Sequence, residues 1–408
     1  MYKKLLSENK DFAKIYFAGI ISTLGDILFD IFLMWQVYVK TGRVTDVGLI
    51  LGINYLARGL VSLISGHLVD IFPRKRIMII GDVVRGLLVL AFVLALDHID
   101  SRFVILACVF TIEVFTTLFD SAKTAAIPDL VGKKNVVVAG SLAAVSRRVM
   151  TVLGALVSGI IVEHVAPVSV LLINSSSFFI SAFLVNLSAS ACFAKPSAQK
   201  IAKVSEIGSQ YLSTVRIILK DRFIVAFMLL LMLLNFPYSL IQLVPLVGAK
   251  VQVIGGASWI GMFRGAIAIG EILGLFLIGS AALSKRISLC FKIGLIGPAL
   301  GYLLIYNIHI AGLVIAGLFI YGLTDALSQP LFSYFTAHVP SDIRGKVLGI
   351  FDCCVLLIVP LALYAASKAM DSYGAGVVCL ASSCALLIAA LIFILRPEFR
   401  ITASKDDS

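Results

Sequence analysis

The chain has 408 residues, 60% hydrophobic and 14% charged, whereas a soluble domain is roughly half apolar and a quarter charged, so an ordinary soluble fold is excluded. Its about 245 apolar residues match about twelve membrane helices of about 20 residues each and leave no room for a sizeable soluble enzyme domain. The net charge of +11 calls for no nucleic acid, because the placement of Lys and Arg around the spans accounts for it.

Lys3, Lys4, Lys10 and Lys14 precede an apolar stretch from Ile15 to Val39. It is too long for a signal h-region and no small-residue cleavage pattern follows, so it reads as a retained first span. Apolar stretches bounded by charge, Gly or Pro predict spans at 15–39, 47–69, 77–96, 103–122, 139–163, 168–193, 223–247, 257–281, 288–306, 310–332, 347–367 and 375–395. The polar, basic stretch from Ala194 to Arg222 divides six spans from six. The expected fold is an all-α integral membrane protein of twelve helices in two pseudo-symmetric six-helix bundles. They cover 1–193 and 223–408, the second ending in a short cytoplasmic tail, with a cytoplasmic linker over 194–222.

With the N-terminus inside, 23 of the 34 Lys and Arg fall on the cytoplasmic side and 5 on the outer side, which predicts that both termini are cytoplasmic. Sliding span 2 onto span 8 by 213 positions aligns Gly48 with Gly261 and Gly66 with Gly279, the trace of an internal repeat that parallel bundles predict. The seven cysteines lie in apolar segments, their number is odd and no C-x-x-C occurs. Neither disulfides nor a metal site are expected.

Ionisable residues inside lipid are costly and mark function by default. Asp26 and Asp30, four apart in span 1, share a helix face. Counting about 1.5 Å per residue sets Asp26, Arg58 and Glu113 near mid-membrane and Asp30 a turn further out. These four are predicted to form one buried cluster. Three carboxylates facing one Arg leave acid in excess, and such an acid can exchange a proton during transport; a structural ion pair joining spans 1, 2 and 4 is the alternative reading. Asp82 and Arg85, three apart in span 3, read as a local structural pair. The five histidines at or near span ends read as solvated.

In the second half, span 7 carries Asn235, Pro237, Tyr238, Gln242 and Pro245, a polar break of the kind that lines transporter cavities. Tyr238 and Gln242 are candidate lining residues. Arg264 and Glu271 share a side of span 8, and Asp325 and Gln329 share a face of span 10; Arg264, Asp325 and Gln329 join the cavity-lining candidates.

The run Gly66-His67-Leu68-Val69-Asp70-Ile71-Phe72-Pro73-Arg74-Lys75-Arg76 resembles the loop 2-3 signature of the major facilitator superfamily, G-x-x-x-D-R-x-G-R-[RK]. Gly66, Asp70, Arg74 and Lys75 fit it, while Ile71 and Pro73 depart from it. The stretch Phe119 to Val131, Asn174 to Phe178, Pro340 to Val347 and Gly25-Asp26 are similar to the branch of macrolide-efflux and enterobactin-exporter-like drug:proton antiporters, with lysophospholipid flippases nearby. In span 5, Gly154-Ala155 stands where antiporters often carry Gly-Pro.

The resemblance implies a gating role for loop 2-3, with Asp70 facing the N-terminus of helix 11. It implies that spans 5 and 8 meet, bringing Arg147 or Arg148 to Glu271 as an inter-bundle contact. A monomer in a bacterial inner membrane, with an amphipathic small molecule, membrane lipid and protons as partners, is the further implication.

No G-x-x-x-x-G-K-[ST] and no H-E-x-x-H occurs, and no nucleophile stands at hydrogen-bond spacing from a base. The sequence therefore predicts a secondary transporter and not an enzyme, without a cofactor and with the proton gradient as energy source. Export of a drug, macrolide or siderophore-like amphiphile by proton antiport is the leading expectation. A lysophospholipid flippase or uncoupled facilitator on the same fold is the alternative.

Overall fold

The computed structural model describes residues 2–95, 102–189, 215, 218–251, 256–278, 287–339 and 344–395. Most of the expected linker, the basic residues Lys285 and Arg286, the loop 340–343 and the tail from 396 lie outside the described residues. The helices are α1 (Tyr2–Glu8), α2 (Lys10–Thr41), α3 (Val44–Ile71), α4 (Arg74–Ala95), α5 (Arg102–Val131), α6 (Val136–His164), α7 (Pro167–Asn186), α8 (Arg222–Ile241), α9 (Val244–Val251), α10 (Ala257–Ile278), α11 (Ile287–Ile305), α12 (Ala311–Leu327), α13 (Gln329–His338), α14 (Arg344–Tyr373) and α15 (Ala375–Leu395). The described residues hold no strand. Lipid offers the backbone no hydrogen-bond partner, so a spanning segment must pair its own N–H and C=O groups, and helices do so.

Nine helical stretches among the described residues are long and apolar enough to cross a membrane. Several helices outrun the predicted spans. A helix of 30 residues, such as α5, measures about 45 Å against about 30 Å of hydrocarbon, so its ends reach the headgroup layer. Two predicted spans are instead broken helices. The stretch 223–247 is interrupted at Gln242 and Leu243, just before Pro245 in the first turn of α9; 310–332 is interrupted at Ser328, just before Pro330 at the start of α13. Proline lacks the N–H and crowds the preceding turn, so each break follows from its proline.

The chain forms two compact units: 1–42, 49–200 and 256–261 make the first, 43–48, 201–255 and 262–408 the second. In unit 1, α2 packs on α5, α6 and α7, and α4 on α5 and α7. Ile15, Val69, Met78, Phe119 and Val185 are among the residues of a buried core there. In unit 2, α11 packs on α12 and α15, and α14 on α8 and α15. Phe227 stacks on Phe335 with ring centres 4.2 Å apart. Large apolar side chains point outward from both units, Phe103 and Phe276 at 84% and 80% exposure, as lipid-facing surfaces require.

Two helices change unit after their first turns. In unit 2, the Asp371 carboxylate of α14 accepts the Val44 and Thr45 N–H groups at 2.8 Å each and the Thr45 hydroxyl at 2.6 Å, capping the start of α3. In unit 1, Glu163 of α6 accepts the Ser258 N–H at 2.8 Å at the start of α10. A close glycine contact backs each cap. A Cβ on Gly48 would collide with Ser367 and stand 3.0 Å from the Leu363 carbonyl, and a Cβ on Gly261 would collide with the Ala155 carbonyl. The shift of 213 that carries Gly48 to Gly261 also carries Thr45 to Ser258, while a shift of 208 carries Ala155 to Leu363 and Glu163 to Asp371. The internal repeat is thus a repeat of contacts, in each of which one residue type does the same work.

Candidate functional site: an ion-paired cavity in unit 1

A cavity of about 230 Å³ opens between α2, α3, α5 and α6, and Asp26, Asp30, Arg58, Glu113, Asp120, Lys123 and Arg147 all line it. Helical spacing puts Thr23, Asp26 and Asp30 on the lining face of α2, and Glu113, Thr116, Asp120 and Lys123 on that of α5. The four residues of the predicted cluster therefore do meet around one space. Their pairing differs from the depth count.

Arg58 holds Glu113 alone, through Nε at 2.8 Å and Nη2 at 2.7 Å from the same carboxylate oxygen. Asp26 faces a different cation. Arg85, fully buried on α4, pairs with Asp82 and reaches both Asp26 oxygens at 3.4 Å. Its guanidinium also donates to Ser22 at 3.2 Å and Thr116 at 3.3 Å, and it lies 4.4 Å from the Phe178 ring centre and 5.0 Å from that of Phe119. The Asp82 and Arg85 pair is therefore local, as expected, and also the inner end of a chain that reaches the cavity through Asp26. Asp82 keeps one oxygen, and Arg85 its Nε, without a partner among the described residues. Desolvated charges with a missing hydrogen bond hold together only because the partner charge is fixed beside them.

Asp120 and Lys123 were not among the predicted site residues. Lys123 donates to Asp120 at 2.6 Å and lies 5.3 Å from the Phe119 ring centre. Gly19 makes room for its stem, since a Cβ there would stand 3.2 Å from Lys123 Cδ. The sequence carried a signal: Glu113 and Asp120 are seven apart and share a face. The predicted end of span 4 at 122 hid it, by assigning Lys123 to the following loop, whereas α5 continues to Val131.

A smaller cavity of about 70 Å³ adjoins this one and shares Thr23, Lys123 and Arg147 with it; its other walls include Phe12, Ile15, Tyr16, Ile127 and Met150. Arg147 thus borders both spaces. Arg148 and Arg147 belong to unit 1 and Glu271 to unit 2.

Loop 2-3 residues act as caps at one end of unit 1. Arg74 pairs with Asp129 and donates to the Ala125 carbonyl at 2.8 Å. Lys75 donates to the carbonyls of Asn186 and Ser188 at 2.8 and 2.7 Å, and Lys14 to that of Leu187 at 2.7 Å. Lys14 and Lys75 sit on carbonyls at and just past the end of α7, satisfying groups that a helix end leaves open and offsetting its negative pole, while Arg74 sits against the last turns of α5. Gly66 is exposed and Asp70 half-buried; Asp70 belongs to unit 1 and α14, the helix expected to face it, to unit 2.

In unit 2, Tyr238, Gln242, Arg264, Glu271 and Asp325 are half-buried and Gln329 is exposed. Gln242 sits in the break between α8 and α9, and Tyr238 follows Pro237, whose carbonyl accepts the Tyr302 hydroxyl. A Cβ on Gly322 of α12 would collide with the Ile267 carbonyl and stand 3.2 Å from the Glu271 nitrogen, so the backbones carrying Glu271 and Asp325 lie side by side.

The model of the Major Facilitator Superfamily matches residues 15–362. The chain is 24% identical over 407 residues to the uncharacterized MFS-type transporter YfiS of Bacillus subtilis (strain 168), covering 97% of this chain and 95% of that protein. It is 24% identical over 354 residues to the enterobactin exporter EntS of Salmonella typhi, covering 85% and 82%. Among solved structures, the nucleoside transporter NupG superposes with a TM-score of 0.71 at 13% identity, covering 96% of this chain and 100% of that one, which speaks for the fold alone.

Proposed function

We propose that this chain, which belongs to the Major Facilitator Superfamily, is a secondary transporter that exports an amphipathic small molecule by proton antiport, with two bundles alternating access to a midplane site. That it is a multi-pass membrane transport protein follows from the family; direction and coupling are the proposal. The observation that carries the reading is the cavity of unit 1. Four carboxylates open on it, at Asp26, Asp30, Glu113 and Asp120, and three cations hold three of them through contacts that a proton can exchange for: Arg58 on Glu113, Lys123 on Asp120 and the buried Arg85 on Asp26. A carboxylate that gives up its cation on protonation links proton uptake to rearrangement of the wall. The likeness to an exporter over 85% of the chain supports the outward direction. Placement in a bacterial inner membrane with both termini cytoplasmic belongs to the same proposal.

A thermal-shift screen against macrolides, siderophores and lysophospholipids supplies a probe, and proteoliposomes with an imposed pH gradient supply the test. The expected result is uphill movement of the probe with a counterflow of protons, lost in Asp26→Asn and in Glu113→Gln although both variants fold and insert. Full concentrative transport by both variants would overturn the assignment of coupling to this cluster. Probe movement with no proton counterflow in the unaltered protein would favour the facilitator or flippase.

A further inference from the structure

We infer that Arg147, with Lys123 beside it, forms a subsite for the acidic headgroup of an organic anion, so that the transported amphiphile carries a carboxylate or phosphate. The inference rests on reading the cavity as the transport pathway and adds the charge of what passes through it.

Each of the other cations around the cavity already holds an acid. Arg58 holds Glu113, Arg85 holds Asp82 and Asp26, and Lys123 holds Asp120. Arg147 has no ion pair and no side-chain hydrogen bond among the described residues; the acid within its electrostatic reach is Asp120, whose bonded partner is Lys123. A guanidinium has five donors in a rigid fork suited to a carboxylate or phosphate. This one is exposed and lies at the seam of the two cavities, so a ligand meets it on entering either.

The surroundings complete the specification. On one side of Arg147 the smaller cavity is walled by Phe12, Ile15, Tyr16, Ile127 and Met150, a surface for an apolar or aromatic body. On the other lie the ion-paired acids. A binding site of this kind fixes orientation with a few polar groups on a mostly apolar wall, and the charged lining group without an ion pair among the described residues here is a cation. An anionic head on Arg147 leaves the body against the aromatic wall and the head next to the carboxylates of the coupling cluster. Its arrival changes the field that those acids feel.

The test uses the full-length protein in nanodiscs of phosphatidylcholine, at low salt, with three probes sharing one body: 4-phenylbutyrate, 4-phenylbutyl phosphate and 4-phenylbutylammonium. Calorimetric titration is expected to show both anions binding at least about tenfold tighter than the ammonium, on the scale of one charge-assisted hydrogen bond. Arg147→Gln is expected to weaken both anions by a similar factor and leave the ammonium unchanged; Arg147→Lys restores most of the affinity. Comparison of the two anions tells whether the site takes the carboxylate or the phosphate better. Glu271→Gln is expected to change nothing, which separates this role from a pairing of Arg147 with that acid. Equal binding of ammonium and anions, no binding of either anion, or unaltered anion affinity in Arg147→Gln would each overturn the inference. Binding is read without a gradient, so a protein that binds the anions yet exports nothing against a proton gradient sinks the export reading and leaves the subsite standing.

Discussion

Arg85 and Arg58 look alike in the sequence, each an arginine inside a predicted span, and the structure gives them unequal weight. Arg85 is fully enclosed and neutralises two carboxylates, one of them fully buried, whereas the Arg58 side chain is 56% exposed and serves one. Removing the first leaves Asp82 with no cation in a dry interior, and the loss of one partner of a buried pair costs about 3–5 kcal/mol. Removing the second strands one carboxylate, Glu113, which lines a cavity and not the packed core, so its loss costs less. Thermal melts of the purified variants are expected to show a large drop for Arg85→Gln and a small one for Arg58→Gln. Equal drops would mean that Asp82 finds another partner. A paired change, Arg85→Met with Asp82→Leu, is expected to recover part of the loss, because it removes the stranded charge together with its cation.

Several helices in this protein are held at their ends by charged side chains and along their length by glycines pressed on a neighbouring backbone. In lipid, helices gain little by hiding apolar surface from one another, so close backbone approach and polar contacts do the packing. The caps from Asp371 to α3 and from Glu163 to α10 pair that rule with the repeat: each sits one turn from a glycine pressed on a carbonyl of the neighbouring helix. Asp371→Asn removes the charge that three donors share and is expected to cost about 1–2 kcal/mol, the upper range for a helix cap. Glu163→Gln, with one backbone donor, is expected to cost about half of that by the same measure. The two sites lie in different units, so their effects in the double variant should add. Melting curves with no shift in Asp371→Asn would show that the cap is replaced by solvent at no cost.

Across the whole molecule, the proposed transport cycle requires that parts of the fold change partners, and the family resemblance assigns the timing of that change to loop 2-3. Arg74 and Lys75 fasten the loop to the ends of α5 and α7, leaving Asp70 half-buried at the end of α3. Asp70→Asn is expected to slow turnover at least about tenfold while the probe binds as before, since a gating residue acts on the step between states and not on the site. A Kd that rises as far as the rate falls would place Asp70 in binding instead. Hydropathy made the membrane class and the helical fold readable from the chain, because lipid imposes its demands on each segment separately, and short motif runs made the family readable. Loop 2-3 was legible for the same reason, as a local run. The cluster was legible in part: depth along a helix is a count of residues, and it brought Asp26, Arg58 and Glu113 to one level with Asp30 a turn further out. Which cation meets which acid depends on how each helix is turned about its axis and on which neighbour it packs against. A helical period gives the faces of one helix and says nothing of the next. For that reason Asp26 turned out to face Arg85 of α4, Lys123 entered the cavity from a helix longer than its apolar core, and Arg147 stands without an ion pair among the described residues. The sequence by itself determined that charges would be buried in this membrane protein and which could pair along one helix; tertiary packing alone decided how they pair between helices.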